Sequence, residues 1–309
     1  MYTAPAFLFN AHLETIYPSL LRRVGMKPYT RERICTPDDD FLDLDWLTQG
    51  ASKLIIISHG LEGSSQRPYV KGLAKAGFNQ GCDILAWNFR GCSGEINKQL
   101  RFYHSGATED LHTVLEHVKN KNQYTEIFLM GFSLGGNLTL KYLGERQLFP
   151  EIKKSVVFSV PLNLQTSCAR ISEPSNWIYA RRFLKSLKQK ILRKHIAYPE
   201  LNTSWLPQIK TIQTFDDRYT APLHGYNNAA EYYDRCSSIH FIHAIPIPTL
   251  IINARNDPFL SNDCYPTEML KHHANVKLET PDRGGHVGFA QFHKSGLYWS
   301  EEKALQFIK

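Results

Sequence analysis

Three residues far apart in the chain have the types needed for nucleophilic catalysis: Ser133, Asp257 and His286. Ser133 stands in Gly131-Phe132-Ser133-Leu134-Gly135, directly after the apolar run Ile127-Phe128-Leu129-Met130. A serine hydroxyl is a poor nucleophile until a base takes its proton, and a histidine of ordinary pKa, near 6.5, can do that at neutral pH and later protonate a leaving group. His286, in Arg283-Gly284-Gly285-His286-Val287-Gly288, is the candidate base. Asp257, in Arg255-Asn256-Asp257-Pro258, is the candidate for holding its tautomer and stabilising the imidazolium. The developing oxyanion would be met by the backbone N–H of Leu134 and by that of Leu61 in His59-Gly60-Leu61, with His59 shaping the loop. A glycine-flanked serine is a weak signal in a chain with 19 glycines, so the elements that position it must carry the argument.

Those elements read as a doubly wound α/β fold. Leu54–Ile57, Asp83–Asn88, Ile127–Met130, Ser155–Val160, Thr249–Ala254 and Val276–Glu279 are strand-like, and several are continuous apolar runs suited to a sheet covered on both faces. Helical patterns separate them near 69–76, 108–120, 134–143 and 267–272, and a last helix closes the chain near 298–308. This alternation implies a mainly parallel sheet. Ahead of it, 31–35 and 42–47 read as a hairpin turned by Asp38-Asp39-Asp40, which brings the sheet to eight strands. Leu42, Leu44 and Trp46 alternate with Asp43 and Asp45, the period of a half-exposed edge strand. The first thirty residues read as an irregular arm. Ligands bind beyond the carboxyl ends of parallel strands, and the candidate residues follow three such ends in the order Ser, Asp, His, which is that of α/β-hydrolases.

Residues 163–245 interrupt the alternation and read as a mainly helical cap inserted between core segments 1–162 and 246–309. They include an amphipathic stretch with Phe183, Leu184, Leu187 and Ile191 on one side. Its other side collects Arg181, Arg182, Lys185, Lys188, Lys190, Arg193 and Lys194, which equal the whole net charge of +7. One local basic face fits weak contact with an anionic membrane surface, and the balanced remainder argues against nucleic acid as a partner. Six cysteines without metal-finger spacing, and histidine pairs outside any ligand constellation, imply no metal and no cofactor. The absence of a signal-like or membrane-spanning stretch points to a cytoplasmic protein.

Several motifs together resemble the YheT-like family of α/β-hydrolases, which includes bacterial proteins assigned as esterases and eukaryotic relatives acting on phospholipids. Asn10-Ala11-His12-Leu13-Glu14-Thr15-Ile16 is similar to the family's Asn-Gly-His-Leu-Gln-Thr-Ile arm, departing at Ala11 and Glu14. His59-Gly60-Leu61-Glu62-Gly63-Ser64-Ser65, Asn88-Phe89-Arg90-Gly91-Cys92-Ser93-Gly94-Glu95, Tyr103-His104-Ser105-Gly106, the stretch from Phe215 to Tyr226 and Gly284-Gly285-His286-Val287-Gly288-Phe289 match further signatures. Asn256 stands where the family often has a second aspartate. The resemblance implies a serine hydrolase that cleaves acyl esters through an acyl-enzyme on Ser133, with medium-chain or lipid esters as candidate substrates. The rival reading is a non-catalytic ligand-binding protein on the same fold.

Overall fold

The first two strands show how charge at a two-residue period builds a sheet. In β1 (Thr30–Cys35) Arg31 and Arg33 lie in register with Asp45 and Asp43 of the antiparallel β2 (Phe41–Leu47). Each arginine grips its partner through two hydrogen bonds of 2.8–2.9 Å. Asp45 also accepts from Ser65 Oγ at 2.5 Å and Asn88 Nδ2 at 2.9 Å. Both faces of β2 are therefore covered and all its residues are buried, so it is an interior strand and β1 is the edge. The half-exposed edge expected at β2 is corrected: its aspartates face partners rather than water.

The computed structural model describes residues 2–293 and 296–309. The remaining strands are β3 (Lys53–Ser58), β4 (Asp83–Asn88), β5 (Glu126–Phe132), β6 (Ile152–Phe158), β7 (Thr249–Ile252) and β8 (Val276–Glu279). They complete one eight-stranded sheet in the order β1-β2-β4-β3-β5-β6-β7-β8, parallel from β4 to β8. Alternate side chains of the apolar strands serve opposite layers. Ile55, Ile57, Phe128 and Met130 meet α2 (Pro68–Asn79) and the last helix, while Leu54, Ile56, Ile127 and Leu129 meet α3 (Thr108–Asn120) and α4 (Leu134–Glu145).

The N-terminal segment expected to be an irregular arm contains a helix, α1 (Ala11–Leu21), whose first turn is capped by Asn10 Oδ1 accepting from Leu13 N at 2.9 Å. Pro18 lies inside it and removes the donor that would have met the carbonyl of Glu14. That carbonyl faces Gly288 so closely that a Cβ there would come within 2.2 Å.

Between β6 and β7 the chain forms α5 (Leu164–Ile171), the 21-residue α6 (Trp177–Ala197), α7 (Ile212–Phe215), α8 (Ala221–Leu223) and α9 (Ala229–Cys236). This helical insertion buries a cluster around Leu184, Ile191, Ile212, Phe215, Tyr219 and Tyr232, which Phe102 from the loop after β4 joins. Beyond it lie α10 (Thr267–Leu270), after β7, and α11 (Trp299–Ile308), which ends the fold. The seven-residue basic face of α6 is corrected as well. Lys190 and Lys194 are buried: Lys190 pairs with Glu62 at 2.6 Å, and Lys194 donates to the carbonyls of Asn97 and Gln99. Lys188 donates to the Ile209 carbonyl at 2.7 Å. Arg181, Arg182, Lys185 and Arg193 are the members left exposed.

Candidate active site

Ser133 occupies the single residue between β5 and α4, at φ 52° and ψ −120°. This is a backbone region that side chains rarely enter and that persists only when the surroundings over-determine it. They do. A Cβ on Gly131 would come within 2.5 Å of the Gly135 carbonyl, and one on Gly135 within 2.3 Å of the His59 carbonyl. The flanking glycines thus let the turn close on itself and let the loop after β3 cross it.

The structure brings the three sequence candidates together. Ser133 Oγ lies 2.9 Å from His286 Nε2, and His286 Nδ1 lies 2.9 and 3.1 Å from the two carboxylate oxygens of Asp257. With its Nδ1 proton donated to Asp257, the imidazole presents a lone pair to the serine hydroxyl, the tautomer a general base requires. Asp257 is 3% exposed and also accepts from Phe259 N at 2.9 Å. The Phe259 ring packs on the His286 imidazole, with centroids 4.2 Å apart.

The two candidate oxyanion donors flank the serine. Leu134 opens α4, where the first N–H groups have no intrahelical acceptor. Leu61 lines the same cavity as Ser133. Its loop is fixed by Gly60 N donating to Tyr69 Oη at 3.0 Å and by His59, whose Nε2 accepts from Phe89 N at 3.1 Å while Nδ1 faces the Gly60 carbonyl at 2.8 Å. Burial pushes the His59 pKa down to about 3, so it stays neutral and holds backbone.

The sequence did not reveal what holds the histidine loop. Glu14, 1% exposed, accepts from Gly284 N at 2.8 Å and from Asn256 Nδ2 at 2.7 Å, and pairs with Arg283 at 2.6 Å. Thr15 Oγ1 accepts from His286 N at 2.9 Å, and Ser159 Oγ from Val287 N at 2.8 Å. Two of the departures from the family pattern, Glu14 and Asn256, therefore touch.

A cavity of about 450 Å³ opens from Ser133 and His286. Ile16, Leu20, Ile178, Phe183, Phe259 and Val287 give it apolar walls. Its two carboxylates are engaged, Glu62 by Lys190 at 2.6 Å and Glu301 by Arg22 at 2.6 and 3.0 Å.

Arg90 and His104, to which the motifs assign no role, are structural. Arg90, 1% exposed, binds Asp38, Asp40 and Asp110 at 2.7–3.2 Å. His104 packs its ring 4.4 Å from that of His224 at the joint between core and cap, and burial keeps it well below the usual histidine range.

A nucleophile delivered by a central strand, with acid and base arriving later from strands on one side, is the chain order of an α/β-hydrolase. Comparison with known proteins agrees. The family model Hydrolase_4, described as serine aminopeptidase, S33, matches residues 49–286. YheT of Escherichia coli (strain K12), an esterase by name, is 37% identical over 289 residues, covering 91% of this chain and 84% of its own. Phospholipase ABHD3 of Homo sapiens is 29% identical over 303 residues, covering 90% and 74%. Esterase Pf2001 of Pyrococcus furiosus superposes with a TM-score of 0.60 at 21% identity, over 93% of this chain and 97% of that one. The chain belongs to the Hydrolase_4 family of α/β-hydrolases and is a homologue of YheT.

Proposed function

We propose that the protein hydrolyses carboxylic esters with apolar acyl groups through an acyl-enzyme on Ser133. The 2.9 Å contact between Ser133 Oγ and His286 Nε2, with Asp257 behind the ring, carries the reading. Ser133 Oγ attacks the ester carbonyl carbon as its proton passes to His286 Nε2. The N–H groups of Leu61 and Leu134 hold the oxyanion, and collapse expels the alcohol, which takes the proton from His286. Water then attacks the acyl-enzyme, again deprotonated by His286, and releases the acid and Ser133.

The cavity favours an ester over a peptide N-terminus, although the family's description names an aminopeptidase. A free α-ammonium needs an unengaged carboxylate, and among the described lining residues Glu62 and Glu301 are both taken by cations. The apolar walls suit an acyl chain, in keeping with relatives named esterase, monoacylglycerol lipase and phospholipase. The purified protein should be labelled by a fluorophosphonate on the peptide containing Ser133. It should also cleave p-nitrophenyl esters in a chain-length-dependent way, faster than aminoacyl p-nitroanilides. Absence of labelling, or preference for the anilides, would overturn the reading.

A lipid surface as the source of substrate is supported by the cavity's rim. Leu20 and Ile178 line the cavity yet are 65% and 53% exposed, and Leu21 and Trp177 beside them are 64% and 56% exposed. Arg181, Arg182 and Lys185 stand on the same end of α6, which has no acidic residue. In this reading the docking face is that end rather than the whole basic run. Arg181→Glu with Lys185→Glu should weaken binding to phosphatidylserine-containing vesicles at least about tenfold, at about 1 kcal/mol per basic residue. Unchanged binding would remove this face from the proposal. The six unpaired cysteines, four of them buried, suit a reducing, cytoplasmic setting. No helix among the described residues is long and apolar enough to cross a membrane.

A further inference from the structure

Glu62, the residue after the candidate oxyanion donor Leu61, holds a conformation of its own. Its φ is 51°, rare for a residue with a side chain. Its backbone is bonded at both ends: its N–H donates to Tyr103 Oη at 2.9 Å and its carbonyl accepts from Arg67 Nη2 at 2.7 Å. Its carboxylate bridges to side chains of α6. Oε1 accepts from Lys190 Nζ at 2.6 Å and Tyr103 Oη at 2.7 Å, and Oε2 accepts from Ser186 Oγ. The pair is out of water, with Glu62 and Lys190 side chains 7% and 11% exposed. Burial works against both charges: Lys190 and the Ser186 and Tyr103 hydroxyls keep Glu62 ionised, while Cys92, whose Sγ lies 3.0 Å from Nζ, and Glu62 keep Lys190 charged.

Lys190 and Ser186 both lie on α6, one turn apart, so the cap supplies two of the three groups that grip this carboxylate. A buried carboxylate left without its cation is strongly unfavourable. The Glu62 side chain therefore ties the loop that carries Leu61 to α6.

We infer that Glu62 is a positioning residue that couples the cap to the oxyanion loop, so that docking of α6 through Lys190 and Ser186 sets the Leu61 N–H and lifting of α6 releases it. The inference rests on the hydrolase reading for the role of Leu61. The site is complete only beneath a closed cap: an open cap admits an ester to a serine that lacks one oxyanion donor.

The test uses the full chain with Lys190→Met, Ser186→Ala, Glu62→Gln and the double variant Glu62→Gln/Lys190→Met. Lys190→Met should lower kcat on a short p-nitrophenyl ester by about 10- to 100-fold, a displaced donor costing somewhat less than a deleted one, with KM within about twofold. The double variant should be no worse than Lys190→Met alone, because both lesions break one contact. Lys190→Arg, which keeps the cation, should recover most of the rate. Amide hydrogen exchange across residues 59–64 reads the coupling without turnover and should rise at least about tenfold in Lys190→Met. Should that variant fail to fold, Ser186→Ala decides, with a smaller loss of kcat and faster exchange at unchanged Tm. Wild-type kcat and exchange in folded Lys190→Met or Ser186→Ala, or single losses that multiply in the double variant, would overturn the inference. A wild-type protein inert to esters but showing the exchange coupling would instead count against the hydrolase reading.

Discussion

Ser133→Ala is expected to lower kcat for ester hydrolysis by roughly 10⁴- to 10⁶-fold while the protein stays folded. The hydroxyl is the atom that would bond to the acyl carbon, and its removal leaves only the oxyanion donors and the binding cavity to assist water. Alanine fits the same turn, whose backbone is held by Ser133 N donating to the Phe158 carbonyl at 2.8 Å and Asn137 N donating to the Ser133 carbonyl at 3.0 Å. The melting temperature should therefore move by no more than about 2 °C. Ser133→Ala/His286→Ala should be no slower than Ser133→Ala alone, since a base with no nucleophile to activate contributes nothing. A single variant retaining a tenth of wild-type activity would exclude Ser133 as the nucleophile.

The largest stability effect is expected at Arg90. Its guanidinium serves Asp38 and Asp40 in the β1–β2 turn and Asp110 in the first turn of α3. Arg90→Met leaves these carboxylates against one another, with the partly exposed Arg101 and the buried Lys194 as neighbouring cations, and should cost about 3–5 kcal/mol at pH 7. That is a large share of the roughly 5–15 kcal/mol that holds a domain together.

The cost should shrink in acid, and the sign follows from the shifts. Burial opposes ionisation of Asp38 and Asp40, but hydrogen bonds, the Arg90 bonds to Asp38 among them, and the Arg90 charge outweigh it and hold both below the usual carboxylate range. Their contribution is therefore present above the unfolded pKa near 4 and is lost only as pH falls through their depressed values. Asp110, where burial outweighs Arg90, sits above its ordinary value and contributes in the opposite sense. Without Arg90, burial and mutual repulsion raise the whole set, so the variant gains relative to wild type as pH falls from 7 towards 5. Urea midpoints at the two pH values check this, and a gap that does not narrow would sink the account.

The sheet and the three candidate site residues were legible because each leaves a local mark: a continuous apolar run, a glycine-flanked serine at a strand end, a glycine-rich loop around a histidine. The bounds expected for α3, 108–120, are those observed. What was missed depends on partners across space. The aspartates of β2 read as solvent-facing because one strand was considered alone, whereas Arg31 and Arg33, spaced by two in β1, carry the complementary pattern. Lys190 and Lys194 follow Leu187 by three and seven positions, which places both on the buried stripe of α6, but their charge suggested the other face. Glu14 and Asn256 look like two separate departures in a linear motif and become one contact only when residues 242 apart meet.

That last meeting has a consequence for timing. A chain made from its N-terminus completes β5, the strand that leads into Ser133, before residues 134–286 have been synthesised. The loop bearing His286 follows Ser133 by 153 residues and then meets α1 across a separation of 271 residues between His286 and Thr15. Contacts this distant in sequence close slowly. The candidate nucleophile is thus made well before its candidate base, and a chain that stops short of residue 286 cannot form the Ser133–His286 contact.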